Sequence, residues 1–513
     1  MNKLKRREFL RLGAQGVAFA SIPFIFKSKP LLAFSALGED GKLSDYYKHF
    51  GVDEKIIREV MAAALEKGGD YCDLYFQHRI TNSIGLEDNL VSKAYSNVDY
   101  GVGIRVIEEE QIGYSFTEEI TPEAMKLAAK TAANIASQSK NLPPAELKLH
   151  TTPNYYPIET PWEEVKIDRK IPYLQKINQR VFNNDKRVIK SQIWFIDQSS
   201  YVLIANSEGG IVYDFQPMAG LFATCIAEQN GKKEENYFGL RGRQGIEYFS
   251  PENVNRIADE VVRRTVALFE AVKPEGGEME VVLAAGSSGI LLHEAIGHGM
   301  EADFNRKNIS IFSDKIGQKV AEDFVSIVDD GTLPNERGSL NVDDEGNDTE
   351  KTVLVENGIL KSYLHDHISS RHYKVKPTGN GRRESFRYPP IPRMRNTYML
   401  NGPHTKEEII QSVKKGLYAE DFTNGEVHIG AGDFTFYVKT GYLIEDGKLS
   451  YPVKDVNIIG NGPEVLKNIV MVANDLELGE SGGTCGKDGQ GVPVNDGLPT
   501  TKVSSITVGG VTS

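Results

Sequence analysis

Two histidines that flank a glutamate are the residues with the clearest chemical potential in this chain. They lie in residues 293–298 (HEAIGH), directly after the apolar stretch 290–292 that predicts the beginning of a helix at Ile290. Such a pattern is typical of helices that bind zinc in hydrolases. From the residues alone, His293 and His298 indicate either a metal site or a helix whose histidines are held by ordinary hydrogen bonds.

The spacing of these histidines is unusual for a metal-binding helix. Zinc-binding helices place their histidines four residues apart, so that both face one side. Residues five apart on a regular α-helix, at about 100° per residue, point roughly 140° away from each other. A π-type bulge or an unwound turn would close this gap, and Gly297 and Gly299 tolerate such a backbone. We therefore predict a bulged or broken helix here.

Cys485 is the candidate for a third ligand. It stands in a glycine-rich segment that predicts an irregular, mobile loop able to carry a soft ligand to a metal. A thiolate ligand favours zinc among the divalent metals. The other cysteines, Cys72 and Cys225, are predicted to be small buried core residues. An odd number of cysteines, far apart in the chain, argues against a disulfide framework.

Several other polar residues are weaker candidates. Six acidic residues are predicted to be solvated turn residues or hydrogen-bond partners of a ligand: Glu301, Asp303, Asp329, Asp330, Asp343 and Asp344. Three histidines are predicted to be surface or core residues: His365, His367 and His372. The glycine-rich residues 379–381 and Arg382 are candidate contacts to a substrate.

The first part of the chain predicts antiparallel strands combined with helices. From Tyr71 to Ser115, apolar and polar residues alternate, as in half-buried strands. A helix follows, with Thr121 as its N-cap, and extends to about Ala136. The proline-containing residues 138–161 predict a connection.

A second set of elements follows this connection. It begins with a helix from Trp162 to Asn184 and ends with a helix that Ser250 caps and that extends to about Ala271. Between these helices, alternation predicts four strands: Ile189–Asp197, Ser200–Asn206, Gly210–Phe215 and Leu221–Glu228.

Residues 273–277 (KPEGG) are the best candidate for a domain boundary. Beyond them lie a predicted strand, Met279–Ala285, the candidate metal helix, and a region rich in strands and turns. One further helix is predicted from Thr405 to about Leu417, with a capping box to Glu408. The predicted fold is α+β with two domains: an N-terminal domain, 40–273, with antiparallel sheets and helices, and a β-rich catalytic domain, 278–513, that carries the metal-site helix.

Residues 1–36 resemble a targeting signal rather than part of the folded protein. Lys5-Arg6-Arg7 and the following Phe9 and Leu10 precede a mildly apolar run, as in twin-arginine export signals, which carry proteins that are already folded. We therefore expect a periplasmic or otherwise exported protein, anchored to the membrane if the signal is not cleaved. The apolar run is too short and weak to predict stable membrane insertion.

The composition is that of an ordinary globular protein. The chain has 513 residues, of which 40% are hydrophobic and 25% are charged. Its formal net charge is −12, and no basic cluster follows the N-terminus beyond a short arginine pair. Nucleic acid is therefore not expected as a partner, because phosphate contacts need a clustered basic face.

Several stretches carry a resemblance to a known family. They are residues 292–299 (LHEAIGHG), 329–332 (DDGT), 378–385 (TGNGRRES), 392–397 (PRMRNT) and 485–490 (CGKDGQ). Through them the chain resembles the TldD/PmbA family of metallopeptidases, and specifically its TldD-like active subunit. The resemblance is specific over about residues 279–510.

The resemblance implies roles for four residues. His293, His298 and Cys485 match the family's metal ligands, and Glu294 matches its catalytic glutamate. It also implies one zinc ion per chain, unfolded peptides or small polypeptides as substrates, and a homodimer or a heterodimer with a related subunit. We expect a zinc metallopeptidase that uses a metal-activated water. The alternative is a non-catalytic metal-binding or interaction protein.

Overall fold

The computed structural model describes residues 39–87, 89–136 and 143–509. The export signal predicted at residues 1–36 lies outside them. Three seven-stranded sheets and one two-stranded sheet are combined with short helices in this part of the chain, which confirms the α+β class. No helix within the described ranges is both long and apolar enough to cross a membrane.

Long antiparallel strands form the first sheet, whose order is β3-β2-β1-β5-β6-β4, with β7 also paired to β6. These strands are β1 (Tyr71–Glu87), β2 (Leu90–Glu108), β3 (Gln111–Thr117), β4 (Lys148–Leu149), β5 (Val188–Asn206), β6 (Gly210–Gln229) and β7 (Lys232–Gly242). The helices of this half are α1 (Glu39–Phe50), α2 (Glu54–Ala64), α3 (Pro122–Ala132), α4 (Ile167–Asn184) and α5 (Pro251–Ala267).

Two hydrophobic cores lie along this sheet. Helices α1, α2 and α3 bury one core, in which Ile57, Val60, Met61 and Ala64 of α2 recur at helical spacing. Helices α4 and α5 bury the other core against the opposite ends of the same strands. The predicted helix start at Trp162 is wrong, because residues 162–164 form a separate 3₁₀ turn whose tryptophan donates a hydrogen bond to the carbonyl of Gln244 (3.0 Å).

The four strands predicted between residues 189 and 228 are two continuous strands, β5 and β6. The polar residues at the expected break have partners on neighbouring elements, so the chain does not need to turn there. Asp197 accepts hydrogen bonds from Asn82 of β1 (2.8 Å) and from Lys170 of α4 (2.6 Å). The ladder between β5 and β6 continues through this point.

The second half of the chain contains the other sheets. One seven-stranded sheet has the order β15-β8-β23-β18-β16-β17, and pairing of β15 with β16 closes five of its strands into a ring. Its strands are β8 (Gly277–Leu283), β15 (Lys415–His428), β16 (Asp433–Glu445), β17 (Lys448–Pro452), β18 (Val456–Asn461), β19 (Ile469–Val472) and β23 (Thr501–Gly509).

The remaining strands lie between these in the sequence. The sheet of order β11-β10-β9-β14-β22-β20, with β21 paired to β22, contains β9 (Ile327–Asp330), β10 (Lys351–Glu356), β11 (Ile359–Leu360), β14 (Asn396–Met399), β20 (Glu477–Leu478), β21 (Gly483–Lys487) and β22 (Gln490–Leu498). The two-stranded sheet pairs β12 (Gly381–Arg382) with β13 (Ile391–Pro392). The helices after residues 290–300 are α6 (Ala302–Arg306), α7 (His367–Tyr373), α8 (Lys406–Gln411) and α9 (Gly462–Lys467).

The helix predicted from Thr405 to Leu417 is shorter than expected. Its capping box between Thr405 and Glu408 is confirmed, but α8 ends at Gln411. Leu417 lies in β15 instead, where it pairs with Val281 of β8 and is fully buried. Burial in the core of the sheet therefore outweighs helix propensity at this position.

The boundary at residues 273–277 lies between α5 and β8, and the division into domains 40–273 and 278–513 stays a prediction. Charged side chains of the two parts meet in the interior. Arg105 of β2 is fully buried and donates hydrogen bonds to Asp73 (2.7 Å) and to Glu345 (2.7 Å). The first sheet is therefore joined to the second half through buried ion pairs.

Candidate metal centre

The segment that carries the two histidines is a composite helix with a π-helical turn at its centre. Residues 290–292 are α-helical, His293–Gly297 is π-helical and His298–Met300 is 3₁₀. The N–H of His298 donates to the carbonyl of His293, five residues earlier. This bond widens the turn, and the ring centroids of His293 and His298 lie 5.0 Å apart. The predicted bulge is confirmed, and its position explains how the unusual spacing can serve one site.

The π turn is packed tightly by its surroundings. A Cβ on Gly297 would collide with the sulfur of Met394, and a Cβ on Gly462 at the start of α9 would collide with the carbonyl of Ala295. Both glycines therefore allow a close approach that any larger residue would prevent. Ile296 of the turn is fully buried in the main core of the second half. Packing thus fixes the backbone that orients the histidines.

Cys485 lies on a β-strand, and the prediction of an irregular mobile loop is wrong. It is in the middle of β21, opposite Val492 of β22, and its side chain is buried. The turn between these strands is Asp488-Gly489, and both residues have positive φ (50° and 73°). This is the signature of a two-residue hairpin turn of type I′. The hairpin holds the thiol in a fixed position.

The structure brings the three predicted ligands together. One ligand atom each from His293, His298 and Cys485 can be chosen so that all lie within 4.8 Å of one another, and all three residues are buried. The sulfur of Cys485 lies 3.3 Å from Nε2 of His298. Among the residues that the structure describes, no fourth histidine, cysteine or carboxylate joins this group. Two nitrogens and one thiolate are a donor set that suits zinc.

Each histidine is oriented by a carboxylate on its other nitrogen. Nδ1 of His293 lies 2.9 Å from Asp496, and Nδ1 of His298 lies 2.9 Å from Glu301. Metal-binding histidines have such partners, which fix the ring and leave Nε2 for the metal. Glu301 was predicted to be either a solvated turn residue or a hydrogen-bond partner of a ligand. It is fully buried, which agrees with the second role. Asp496 was missed, because nothing in its local sequence points to residue 293.

A buried cation connects Glu301 to the cysteine strand. Nζ of Lys487, two residues after Cys485, lies 3.0 Å from Glu301 and 2.7 Å from Asp303. Arg393 is also fully buried and donates a hydrogen bond to the carbonyl of Cys485. These contacts tie the hairpin of β21 and β22 to the segment after the histidines. Lys487 was not singled out in the sequence.

Glu294 lies at the edge of the group. Its side chain is 18% exposed, and one carboxylate oxygen lies 3.9 Å from Nε2 of His298. Burial raises its pKa above the ordinary value. It has no hydrogen-bond partner within the described part of the chain. The carboxylate is therefore close to the ligands and available to another molecule.

The charges around the cluster favour protonated imidazole and ionised thiol. Burial alone would lower the pKa of His298, but the charges of Glu301 and Cys485 raise it to about 9. Burial opposes ionisation of the Cys485 thiol, yet His293 and His298 lower its pKa well below the ordinary value. Metal binding requires neutral imidazole, so a metal that enters this site must displace protons at neutral pH.

Most of the other candidates are structural. Asp329, predicted to be a solvated turn residue or a partner of a ligand, is fully buried on β9 and accepts hydrogen bonds from Arg395 (2.7 Å) and Asn380 (2.9 Å). The remaining aspartates predicted to be solvated are also buried: Asp303, Asp330, Asp343 and Asp344. These aspartates are buried because ion pairs, backbone N–H groups and other protein donors satisfy their carboxylates in place of water.

The other histidines and the glycine-rich segment lie outside the metal group. His365 is buried, whereas His372 is exposed and contacts Glu110 (2.6 Å). The ring of His367 stacks on Tyr71. Arg382 is buried and donates to the carbonyls of Met394 and Pro493, so its guanidinium supports the backbone.

A cavity of about 500 Å³ lies beside the group formed by His293, His298 and Cys485. Its lining includes Ser287 and Ile290 before the histidines, the backbone of Gly482 and Gly483 before Cys485, and Asp496. The opposite wall comes from the first sheet, with Tyr237 and Gly239 of β7. The group is therefore next to a space that both halves of the chain enclose.

The sequence and the fold are similar to those of known proteins. The profile of the PmbA/TldA metallopeptidase C-terminal domain matches residues 276–510, the central domain matches residues 160–269, and domain 1 matches residues 72–136. A metalloprotease TldD homolog of Haemophilus influenzae is 40% identical over 448 residues, which cover 86% of this chain and 93% of the relative. A zinc metalloprotease TldD homolog of Saccharolobus solfataricus is 29% identical over 449 residues, covering 87% and 98%.

Solved structures share the fold at lower sequence identity. TldE from Thermococcus kodakarensis has a TM-score of 0.71 at 19% identity, with 89% of this chain and 99% of that chain covered. A Thermotoga maritima protein described as a modulator of DNA gyrase has a TM-score of 0.71 at 22% identity, with 89% and 100% covered. These likenesses concern the fold alone.

The matches and the geometry agree on one assignment. The three domain profiles span most of the described residues, and the relatives are covered almost along their full length. The stretch that contains the two histidines and Cys485 lies within the C-terminal match. The chain therefore belongs to the TldD/PmbA family of metallopeptidases.

Proposed function

We propose that the protein is a zinc metallopeptidase that hydrolyses unfolded peptides or small polypeptides. The observation that carries this proposal is the convergence of His293, His298 and Cys485, with the carboxylate of Glu294 beside them, 3.9 Å from Nε2 of His298. The three residues would hold one zinc ion per chain. When bound there, zinc would lower the pKa of a water ligand and polarise the carbonyl of the scissile bond.

The chain's own groups would carry the proton transfers. Glu294 would take the proton of the attacking water and pass it to the leaving amine. Asp496 and Glu301 would hold the imidazole rings of His293 and His298 in place through their Nδ1 atoms. Burial of the group keeps bulk water away from these charges. An extended peptide could occupy the cavity between Gly483 and Gly239.

The proposal includes the oligomeric state and the location of the protein. Similarity to TldD-type relatives, and to a solved TldE, supports a homodimer or a heterodimer with a related subunit. The paired Arg6 and Arg7 support export in folded form through the twin-arginine pathway, and an uncleaved signal would anchor the protein to the membrane.

A closed metal-binding protein without catalysis is the rival function. Such a site would use a fourth protein ligand in place of water. The group found in the described residues has three ligands, which favours an open site. Removal of zinc with a chelator is expected to abolish cleavage of an unfolded protein such as casein, and one equivalent of zinc should restore it. Cleavage that is indifferent to zinc would contradict the proposal.

Substitution of Lys487 tests whether its ion pairs with Glu301 and Asp303 support zinc binding. Replacing it with methionine keeps the aliphatic stem but removes the ammonium that contacts Glu301 and Asp303, and leaves Arg393, 4.0 Å away, as the cation near Glu301. We expect zinc affinity to fall roughly tenfold to a hundredfold, as for other partners of metal ligands. Competition with a fluorescent chelator measures this. Lys487→Arg should recover part of the affinity, because it restores the charge.

The control for this substitution is Lys454→Met. Lys454, between β17 and β18, also forms an ion pair, with Glu234 of β7, and is 26% exposed. The Lys454→Met variant should bind zinc with the affinity of the wild type. If Lys487→Met is folded by circular dichroism and binds zinc with unchanged affinity, the ion pairs at Glu301 do not support the metal site.

A further inference from the structure

The acidic residues that line the cavity already have cationic partners. Asp421 pairs with Arg264 (2.8 Å), Glu480 pairs with Arg256, and Asp496 contacts His293 (2.9 Å). None of these carboxylates is therefore free to neutralise another cation. Arg264 is the arginine in this lining, and other arginines without a carboxylate within 4.0 Å among the described residues lie on segments that adjoin the lining residues.

Arg241 is the first of these arginines. It lies on β7 two residues after Gly239, which lines the cavity together with Tyr237 and Phe238. Its guanidinium lies over the ring of Phe222, 4.6 Å from the centroid. Its side chain is half-buried and has neither a hydrogen bond nor an ion pair to any described residue.

Arg337 is the second arginine. Its Nε donates to the carbonyl of Gly483 (2.9 Å) and its Nη2 donates to Thr484 (3.1 Å), directly before Cys485. Both acceptors are neutral, and no carboxylate of the described residues lies within 4.0 Å of this guanidinium. Arg241 is close to the same segment, because its backbone N–H donates to the carbonyl of Glu480 (3.1 Å).

Arg243 lies behind these two residues. It is buried, its Nε has no hydrogen-bond partner, and its guanidinium lies over the ring of Tyr156. Asp214 lies near enough to Arg243 to interact with its charge, but its oxygens accept hydrogen bonds from Tyr156 and Asn341. Burial, followed by the charges of Arg241 and Arg243, lowers the pKa of Arg337 to about 9. The backbone supports this proximity, because the N–H of Arg243 donates to the carbonyl of Asn335 (3.0 Å), two residues before Arg337.

We infer that Arg241 and Arg337, with Arg243 behind them, form a subsite for a carboxylate of the peptide substrate. Asp214 offsets part of the charge near Arg243, but Arg241 and Arg337 have no carboxylate within 4.0 Å among the described residues. Such cations are costly to bury, and an anionic ligand would supply the missing charge. Arginine is suited to this role, because its fork of N–H donors matches a carboxylate. The inference rests on the proposed peptidase function and adds a preference among its substrates.

Binding measurements test the subsite without cleavage. The probe is a short, fluorescently labelled neutral peptide with a free C-terminal carboxylate, compared with its C-terminal amide, on the zinc-loaded Glu294→Gln chain. We expect the acid to bind roughly tenfold to a hundredfold more tightly than the amide. Arg241→Gln and Arg337→Gln should each weaken binding of the acid and leave binding of the amide unchanged.

A third peptide and a control variant complete the design. An amidated peptide that contains one glutamate binds tightly if an acidic side chain, rather than the chain end, occupies the subsite. Arg180→Gln removes an equal charge from an exposed ion pair with Asp259 and should retain the preference. Equal binding of all three peptides, or a preference that survives both arginine substitutions, would falsify the subsite.

Cleavage by the wild-type chain separates this inference from the proposed function. If the acid and the amide are cleaved at the same rate and bind equally, the protein is a peptidase without this subsite. If the acid binds through Arg241 and Arg337 but no peptide is cleaved, the subsite stands and the peptidase proposal fails.

Discussion

Glu294→Gln is expected to lower kcat for peptide cleavage by roughly a hundredfold to ten-thousandfold, the range typical of a lost general base. Glutamine has nearly the same shape but cannot accept the proton. Glu294 is not one of the three proposed ligands, and its carboxylate lies at the edge of the group. Zinc content should therefore stay at the value of the wild type.

Parallel measurements of zinc content and of cleavage under saturating peptide check this result. Glu426→Gln is the control, because it makes the same change at an exposed position of β15 and should leave both quantities unchanged. Normal cleavage by Glu294→Gln would remove Glu294 from the mechanism. Loss of zinc in this variant would instead place the carboxylate among the ligands.

The sequence contains much of the metal site but not the groups around it. Local patterns predicted His293 and His298 on a helix and the bulge that their spacing requires. Asp496 and Lys487 were missed, because their contacts join residues that are far apart in the chain. Such contacts depend on how the hairpin of β21 and β22 packs against the histidine helix, which no local pattern encodes.

The errors in the predicted elements have a common physical cause. Turns were predicted where polar residues interrupt alternation, as at Asp197, although cross-strand partners satisfy those residues inside a long strand. The glycines near Cys485 suggested an irregular loop, although Asp488-Gly489 is a recognisable hairpin signal. Strand assignments therefore depended on tertiary partners, whereas helix caps such as Thr121 and Thr405 were correctly predicted from local residues.

Cys485→Ala is expected to remove zinc from the protein, with a larger loss of affinity than the tenfold to hundredfold that partners of ligands typically contribute. The thiolate is the only proposed anionic ligand, and its loss would leave two imidazoles at the site. It also carries the charge that helps to raise the pKa of His298. Cleavage should fall in proportion to zinc content.

Metal analysis after gel filtration, combined with a cleavage assay at increasing zinc, measures this effect. Cys225→Ala is the control, because Cys225 is also a buried thiol but lies on β6, in a hydrophobic core that contains neither histidine. Both variants remove one buried thiol, so a shared loss of stability cancels in the comparison. Full zinc occupancy in Cys485→Ala would mean that the metal is held without the thiolate. In that case the Cys485 side chain, whose Sγ lies 3.3 Å from Nε2 of His298, would only pack against the histidine.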